Sequence, residues 1–171
     1  VIIPLTLTGM FILLYVTFGK FRQAGLVLAI VPLALFGGML ALNVRGMTLN
    51  VSSAVGFIAM FGLSIQNGII MVSQINGLRI KGMELRKSVI EGARQRFRPI
   101  LMTSVTTILG LFPASLATGI GSDVQRPLAT VIVYGLMFST LISMFLLPAF
   151  YYLVENNVLN KKKNDEKEYT L

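Results

Sequence analysis

The side chains best placed to do chemistry in this sequence are neutral. Gln66 and Asn67 stand deep in an apolar stretch, with Gln66 about 12 residues, or roughly 18 Å of helix, from the nearer charged segment. Thr103 and Thr107 lie roughly 7 to 14 Å into the next apolar stretch, beyond Arg96 and Arg98. Amides and hydroxyls at such depth have two uses. They hydrogen-bond one helix to another, at an average of about 0.6 kcal/mol, or they line a path for a proton or ion. Both readings stand for Gln66 and Asn67. The threonines either bond back to their own helix or face Gln66 and Asn67 across an interface. Arg96 and Arg98, judged by position alone, read as topology anchors.

Other chemistries lack their residues. The sequence has no histidine and no cysteine, which removes the usual zinc and copper ligand sets, thiolate sites, disulfides and any histidine proton shuttle. Nothing points to a metal site or a cofactor. Met39, Met60, Met71, Met102 and Met137 are scattered, as packing or lipid-facing residues are, and do not form a soft-metal ladder. There is also no nucleophile and base pair and no phosphate loop to support an enzyme.

The elements that must position these residues are long and apolar. Hydrophobic residues make up 54% of the chain and charged ones 13%. Five runs lack Asp, Glu, Lys and Arg, and each is long enough to cross a hydrocarbon core about 30 Å thick. They predict an all-α membrane protein with transmembrane helices near 1–19, 23–44, 48–78, 99–119 and 127–154. An amphipathic helix is expected on the membrane surface near 83–97, where Met83, Val89, Ile90, Ala93 and Phe97 recur at roughly helical spacing. Pro99 then suits the first turn of the fourth span. Residues 156–171 read as a polar, disordered tail.

Charge orients the bundle. Lys20 and Arg22, seven cations from Arg79 to Arg98 and four in the tail fall on one side; only Arg45 and Arg126, of 15, fall on the other. The positive-inside rule puts the majority, and the carboxy terminus, in the cytoplasm. A net charge of +8 would suggest nucleic acid in a soluble protein, but here topology and anionic membrane lipids account for it. The first span starts at once, without a basic leader or a small-residue cleavage site, so a signal peptide is not expected and the chain reads as the carboxy-terminal piece of something longer.

Small residues indicate where helices approach. Gly37, Gly38, Gly56 and Gly110 are expected at helix contacts. In the third span Ser52, Gly56, Ala59, Gln66, Asn67 and Gln74 fall on one helical face, with Phe57, Ile58, Phe61 and Ile65 pointing elsewhere.

Several linked segments are more specific. They are Gly56-Phe-Ile-Ala-Met-Phe-Gly62, Gln66-Asn67-Gly68-Ile-Ile-Met-Val72, Val89-Ile-Glu-Gly-Ala93 and Arg96-Phe-Arg-Pro-Ile-Leu-Met-Thr103. In this order they resemble the resistance-nodulation-division (RND) superfamily of proton-driven efflux pumps. The run Ala117-Thr-Gly-Ile-Gly-Ser-Asp-Val-Gln-Arg-Pro-Leu-Ala-Thr130 is similar to the heavy-metal branch, in particular its cobalt-zinc-cadmium type.

The resemblance implies a homotrimeric inner-membrane pump of twelve spans per protomer, joined to a periplasmic adaptor and an outer-membrane channel. This chain would hold the last five spans. It further implies a proton-coupling pathway in which Gln66 stands where the multidrug branch has lysine and some copper and silver pumps have an acidic residue, with Asn67 beside it. Arg96 matches an arginine near the cytosolic proton outlet and Thr103 a threonine of the relay. Ile100 departs from copper-type pumps, which carry lysine there, and a neutral Gln66 cannot release a charge. The carboxylates that bind protons are therefore expected on the first half of such a pump. A multidrug pump of the same superfamily and a non-transporting membrane scaffold are the alternatives.

Overall fold

The structure, a computed structural model, describes residues 2–168, with side chains at 8, 9 and 11–158. It is all-helical. The order is α1 (Ile2–Phe18), α2 (Phe21–Val44), α3 (Val51–Ile80), α4 (Leu85–Leu116) and α5 (Ser122–Glu168). Four of these, α2 to α5, are long and apolar enough to cross a membrane, and α1 is shorter at 17 residues. The chain is a multi-pass membrane protein.

Tight reversals keep successive helices antiparallel. At the end of α2 the Met47 amide donates to Leu42 O at 3.0 Å and the Gly46 amide to Asn43 O at 3.0 Å. Gly46 takes φ 63°, the left-handed conformation in which glycine meets no Cβ penalty. Gly82, at φ 84°, closes α3 in the same way, with Met83 donating to Leu78 O at 3.3 Å. Asn50 then starts α3: its side chain accepts from the Ser53 amide at 2.9 Å while Ser53 Oγ accepts from the Asn50 amide at 2.9 Å.

The central helix is α5, which packs against α2, α3 and α4. Small residues set how closely it is approached. A Cβ on Gly37 would lie 2.5 Å from Phe138 Cβ, and one on Gly56 would lie 2.9 Å from Leu128 O. Between α2 and α3 the same closeness appears at Gly38, where a Cβ would lie 2.9 Å from the Phe57 ring, and at Gly68 against Val27. Gly110 differs. It is exposed, and a Cβ there would meet nothing within 4 Å, so no helix of the described residues packs on it.

Three further features depart from the sequence reading. The expected surface helix and fourth span are one helix, α4, continuous through Pro99. The reason is a single buried line, Ser88, Gly92, Ile100 and Ser104, that runs along both halves; Gly92 lies flush on Ile75 of α3. This shared packing outweighs the roughly 3 kcal/mol a proline costs inside a helix. Helix α5 starts at Ser122, so Pro127 lies inside it, and it continues to Glu168 where a disordered tail was expected. The buried face of α3, finally, follows Ser53, Gly56, Met60, Ser64, Asn67, Met71, Ile75 and Leu78. Ile65 is also buried, whereas Ala59 and Gln66 are exposed, so the face is turned by about one residue from the expected one.

Two polar clusters tie the helix ends. At one end Gln23 of α2 donates to Asn76 Oδ1 of α3 at 3.0 Å, Asn76 Nδ2 returns a bond to Gln23 Oε1 at 2.7 Å, and Tyr151 of α5 donates to Asn76 Oδ1 at 2.5 Å. One turn further, the Glu155 carboxylate accepts from Lys20 Nζ at 3.2 Å and from Arg79 Nη1. At the other end Arg45 Nη1 donates to Ser115 O at 2.8 Å, in the last turn of α4, and to Thr130 Oγ1 at 3.0 Å. Its guanidinium lies 5.8 Å from the centre of the Tyr134 ring.

Candidate functional site

Gln66, Asn67, Arg96 and Thr103 come together. They line one cavity of about 140 Å³ between α3 and α4, closed at the back by Leu136 of α5. The helical period explains the meeting: Leu63, Gln66, Asn67 and Ile70 share the side of α3 that faces Arg96, Pro99, Ile100, Thr103, Ser104 and Thr107 on α4. The space has room for several water molecules, each of which needs about 10–15 Å³.

The donors and acceptors around it are unequally used. Gln66 is exposed and Asn67 is only 9% exposed, yet neither amide makes a hydrogen bond among the described residues. Arg96 Nη2 donates to Gln74 Oε1 at 2.8 Å, and its buried Nε has no acceptor among the described residues. Gln74 in turn donates to Gln95 Oε1 at 2.6 Å, and Gln95 donates to Glu91 Oε1 at 2.9 Å. The bonds all point one way, from the guanidinium to a carboxylate, so each polarises the next.

The hydroxyls present acceptors. Thr103 Oγ1 gives its proton to the carbonyls of Pro99 and Ile100, at 3.1 and 3.0 Å, and Thr107 Oγ1 donates to Thr103 O at 2.9 Å. This is bonding within their own helix, and it leaves oxygen lone pairs for the cavity. Ser104 Oγ lies 2.8 Å from Thr140 Oγ1 of α5. Thr140 donates to Leu136 O at 2.7 Å, so Ser104 supplies the shared proton and keeps its own lone pairs. Ser104, Gln74 and Thr140 were missed by the sequence reading. Gln74 lay on the expected polar face, but nothing local distinguished Ser104 from other membrane serines.

Among the described residues no carboxylate or imidazole lines the cavity. The side chains therefore offer hydrogen-bond donors and acceptors but no carboxylate that could take up and release protons. Among the described residues no group of three His, Cys, Asp or Glu is placed to hold a metal ion. The wall is open at Gln66, Pro99 and Thr103, all exposed, and from there an exposed line of Thr106, Gly110 and Pro113 continues along α4.

Residues 1–155 match the model of the AcrB/AcrD/AcrF family. The chain is 45% identical over 168 residues to Protein HelA of Legionella pneumophila, covering 98% of this chain and 16% of that one. It is 43% identical over 153 residues to the cobalt-zinc-cadmium resistance protein CzcA of Cupriavidus metallidurans, covering 90% of this chain and 14% of that one. A crystal structure of a heavy metal efflux pump superposes with a TM-score of 0.82 at 53% identity, over 91% of this chain and 15% of that one. The chain thus spans about a seventh of the length of these relatives.

Proposed function

Since this chain belongs to the AcrB/AcrD/AcrF (RND) transporter family, we propose that it is the carboxy-terminal membrane part of a proton-driven pump exporting heavy-metal cations. The observation that carries the reading is the gathering of Gln66, Asn67, Arg96 and Thr103 on one cavity. The similarity to cobalt-zinc-cadmium resistance protein and to a heavy metal efflux pump favours a metal cargo.

In this reading the cavity is this chain's share of the proton-coupling pathway. Gln66 and Asn67, with unused amide donors and acceptors, orient water and the carboxylates contributed by the rest of the polypeptide. Thr103 and Ser104 accept hydrogen bonds from that water. Arg96, held by the Gln74–Gln95–Glu91 chain, sets the field at the proton exit. A change of charge on those carboxylates then favours one of two packings of α3 against α4, which is how protonation drives a conformational step. The pump works as a homotrimer in the inner membrane with a periplasmic adaptor and an outer-membrane channel, and its carboxy terminus lies in the cytoplasm with most of the cations.

The test uses the full-length transporter reconstituted in liposomes, with zinc, cobalt and cadmium efflux and proton uptake measured together and a drug panel run in parallel. Gln66→Ala and Arg96→Ala should each lower metal export about tenfold, equivalent to about 1.4 kcal/mol, without changing assembly. Unchanged export and proton uptake in both variants would remove the coupling role, and drug export without metal export would overturn the cargo.

A further inference from the structure

Arg126 is an expensive residue in three independent respects. It is one of only two cations at its end of the bundle, against the strong bias that places the other thirteen of 15 elsewhere. It lies in the second turn of α5, close to the partial positive charge of a helix N-terminus. Its Nε is buried, and among the described residues it finds no acceptor and forms no ion pair. Arg45, the other cation there, is accounted for by Ser115 O, Thr130 and Tyr134. Nothing equivalent serves Arg126 among the described residues.

It lines a polar cavity of about 260 Å³ between the α2–α3 turn and the start of α5. Thr48, Asn50, Ser122 and Asp123 share the wall. Asn50 Oδ1 is occupied by the Ser53 amide, which leaves its Nδ2 as a donor, and the Thr48 hydroxyl makes no bond among the described residues. Three donor groups therefore accompany one carboxylate, that of Asp123, which is exposed and unpaired among the described residues. A simple anion would leave Asp123 opposed, and a simple cation would leave Arg126 opposed. The occupant that satisfies both carries a negative and a positive charge a few bonds apart.

Its surroundings give the class. The cavity lies where α2 ends and α3 and α5 begin, three helices long and apolar enough to cross a membrane, and Leu49, Val51 and Val124 stand strongly exposed in the segments that form it, with Ile120 just before α5. A molecule bound there has its polar part among Arg126 and Asp123 and its apolar part along those side chains. We propose that this cavity binds the head group of a zwitterionic phospholipid, with the phosphate on Arg126, Asn50 and Thr48 and the ammonium at Asp123. The bound lipid would tie the α2–α3 turn to the start of α5, next to the Arg45 clamp on α4.

The experiment is native mass spectrometry of the full-length transporter released from nanodiscs that mix phosphatidylethanolamine and phosphatidylglycerol. Wild-type protein should retain one phosphatidylethanolamine per chain after partial delipidation. Arg126→Gln should reduce that retention about tenfold, Arg126→Lys should restore part of it, and Asp123→Asn should abolish the preference for phosphatidylethanolamine over phosphatidylglycerol. If Arg126→Gln does not fold, Asp123→Asn, at an exposed position, decides by the lipid preference alone. Equal retention and equal preference in all variants would overturn the proposal. So would displacement of the lipid by millimolar inorganic phosphate, which assigns a free-anion site, or a carboxylate from the rest of the polypeptide found seated on Arg126.

Discussion

Removing the Glu155 carboxylate should loosen one end of the bundle by an amount that depends on which partner is lost. Glu155 is 8% exposed and accepts from both Arg79 and Lys20. A hydrogen bond to a charged group contributes about 1.5–3 kcal/mol when it is shielded from water. The Arg79 side chain is 23% exposed, so its bond should keep about 2 kcal/mol of that. The Lys20 side chain is 54% exposed, and solvent screening reduces its share to about 0.5 kcal/mol. Glu155→Ala is therefore expected to destabilise by about 2–3 kcal/mol, since it also leaves Arg79 partly buried without a counter-ion. The assay is equilibrium unfolding of the full-length protein in mixed micelles, run as two double-mutant cycles, Glu155→Ala with Arg79→Ala and Glu155→Ala with Lys20→Ala. The first should give a coupling of about 2 kcal/mol and the second about 0.5. Equal couplings, or none in the arginine cycle, would refute the argument that burial sets the strength of this cluster.

Two other outcomes can be checked in the same preparation. Gly37→Leu would force a side chain into the Phe138 ring, where even a Cβ lies 2.5 Å from Phe138 Cβ, and should cost about 1–3 kcal/mol, visible as a lowered thermal midpoint; a companion Phe138→Ala should recover part of it. The cycle Ser104→Ala with Thr140→Val should give a coupling of about 0.6 kcal/mol, the average for an interhelical membrane hydrogen bond, and a value of zero would mean that the two hydroxyls do not share a proton.

Much of this architecture is legible in the sequence because hydrocarbon is an exacting solvent. Charge-free runs must be helical, so the helices could be placed from Lys20, Arg45, Arg79 and Arg126 alone. Gly46 and Gly82, which close α2 and α3 in the left-handed conformation that glycine takes without a Cβ penalty, were assigned no role in the sequence reading. Continuity was harder to read. Pro99 carries a local penalty that argues for a break, and only the packing of Gly92 on Ile75, distant in sequence, overrides it. The rotation of α3 escaped for a similar reason. Ile65 and Gln66 are neighbours, and which of them turns inward depends on the helices that pack there. Ion pairs such as that of Glu155 with Lys20 join residues 135 positions apart, and no pattern along the chain announces them.

The unbroken course of α4 has a mechanical consequence. A helix of 32 residues is a rod about 48 Å long, longer than the hydrocarbon core is thick. A break at Pro99 would have let the two halves swing separately. Without it, any turning of the rod about its contact with α5 would be a lever motion, in which a sideways step at the end fastened by Arg45 would be answered by an opposite step at the end carrying Glu91 and Arg96. Events at the two ends of the bundle would then be geared through one part, and the distance each end travelled would be fixed by where along α4 the fulcrum lay.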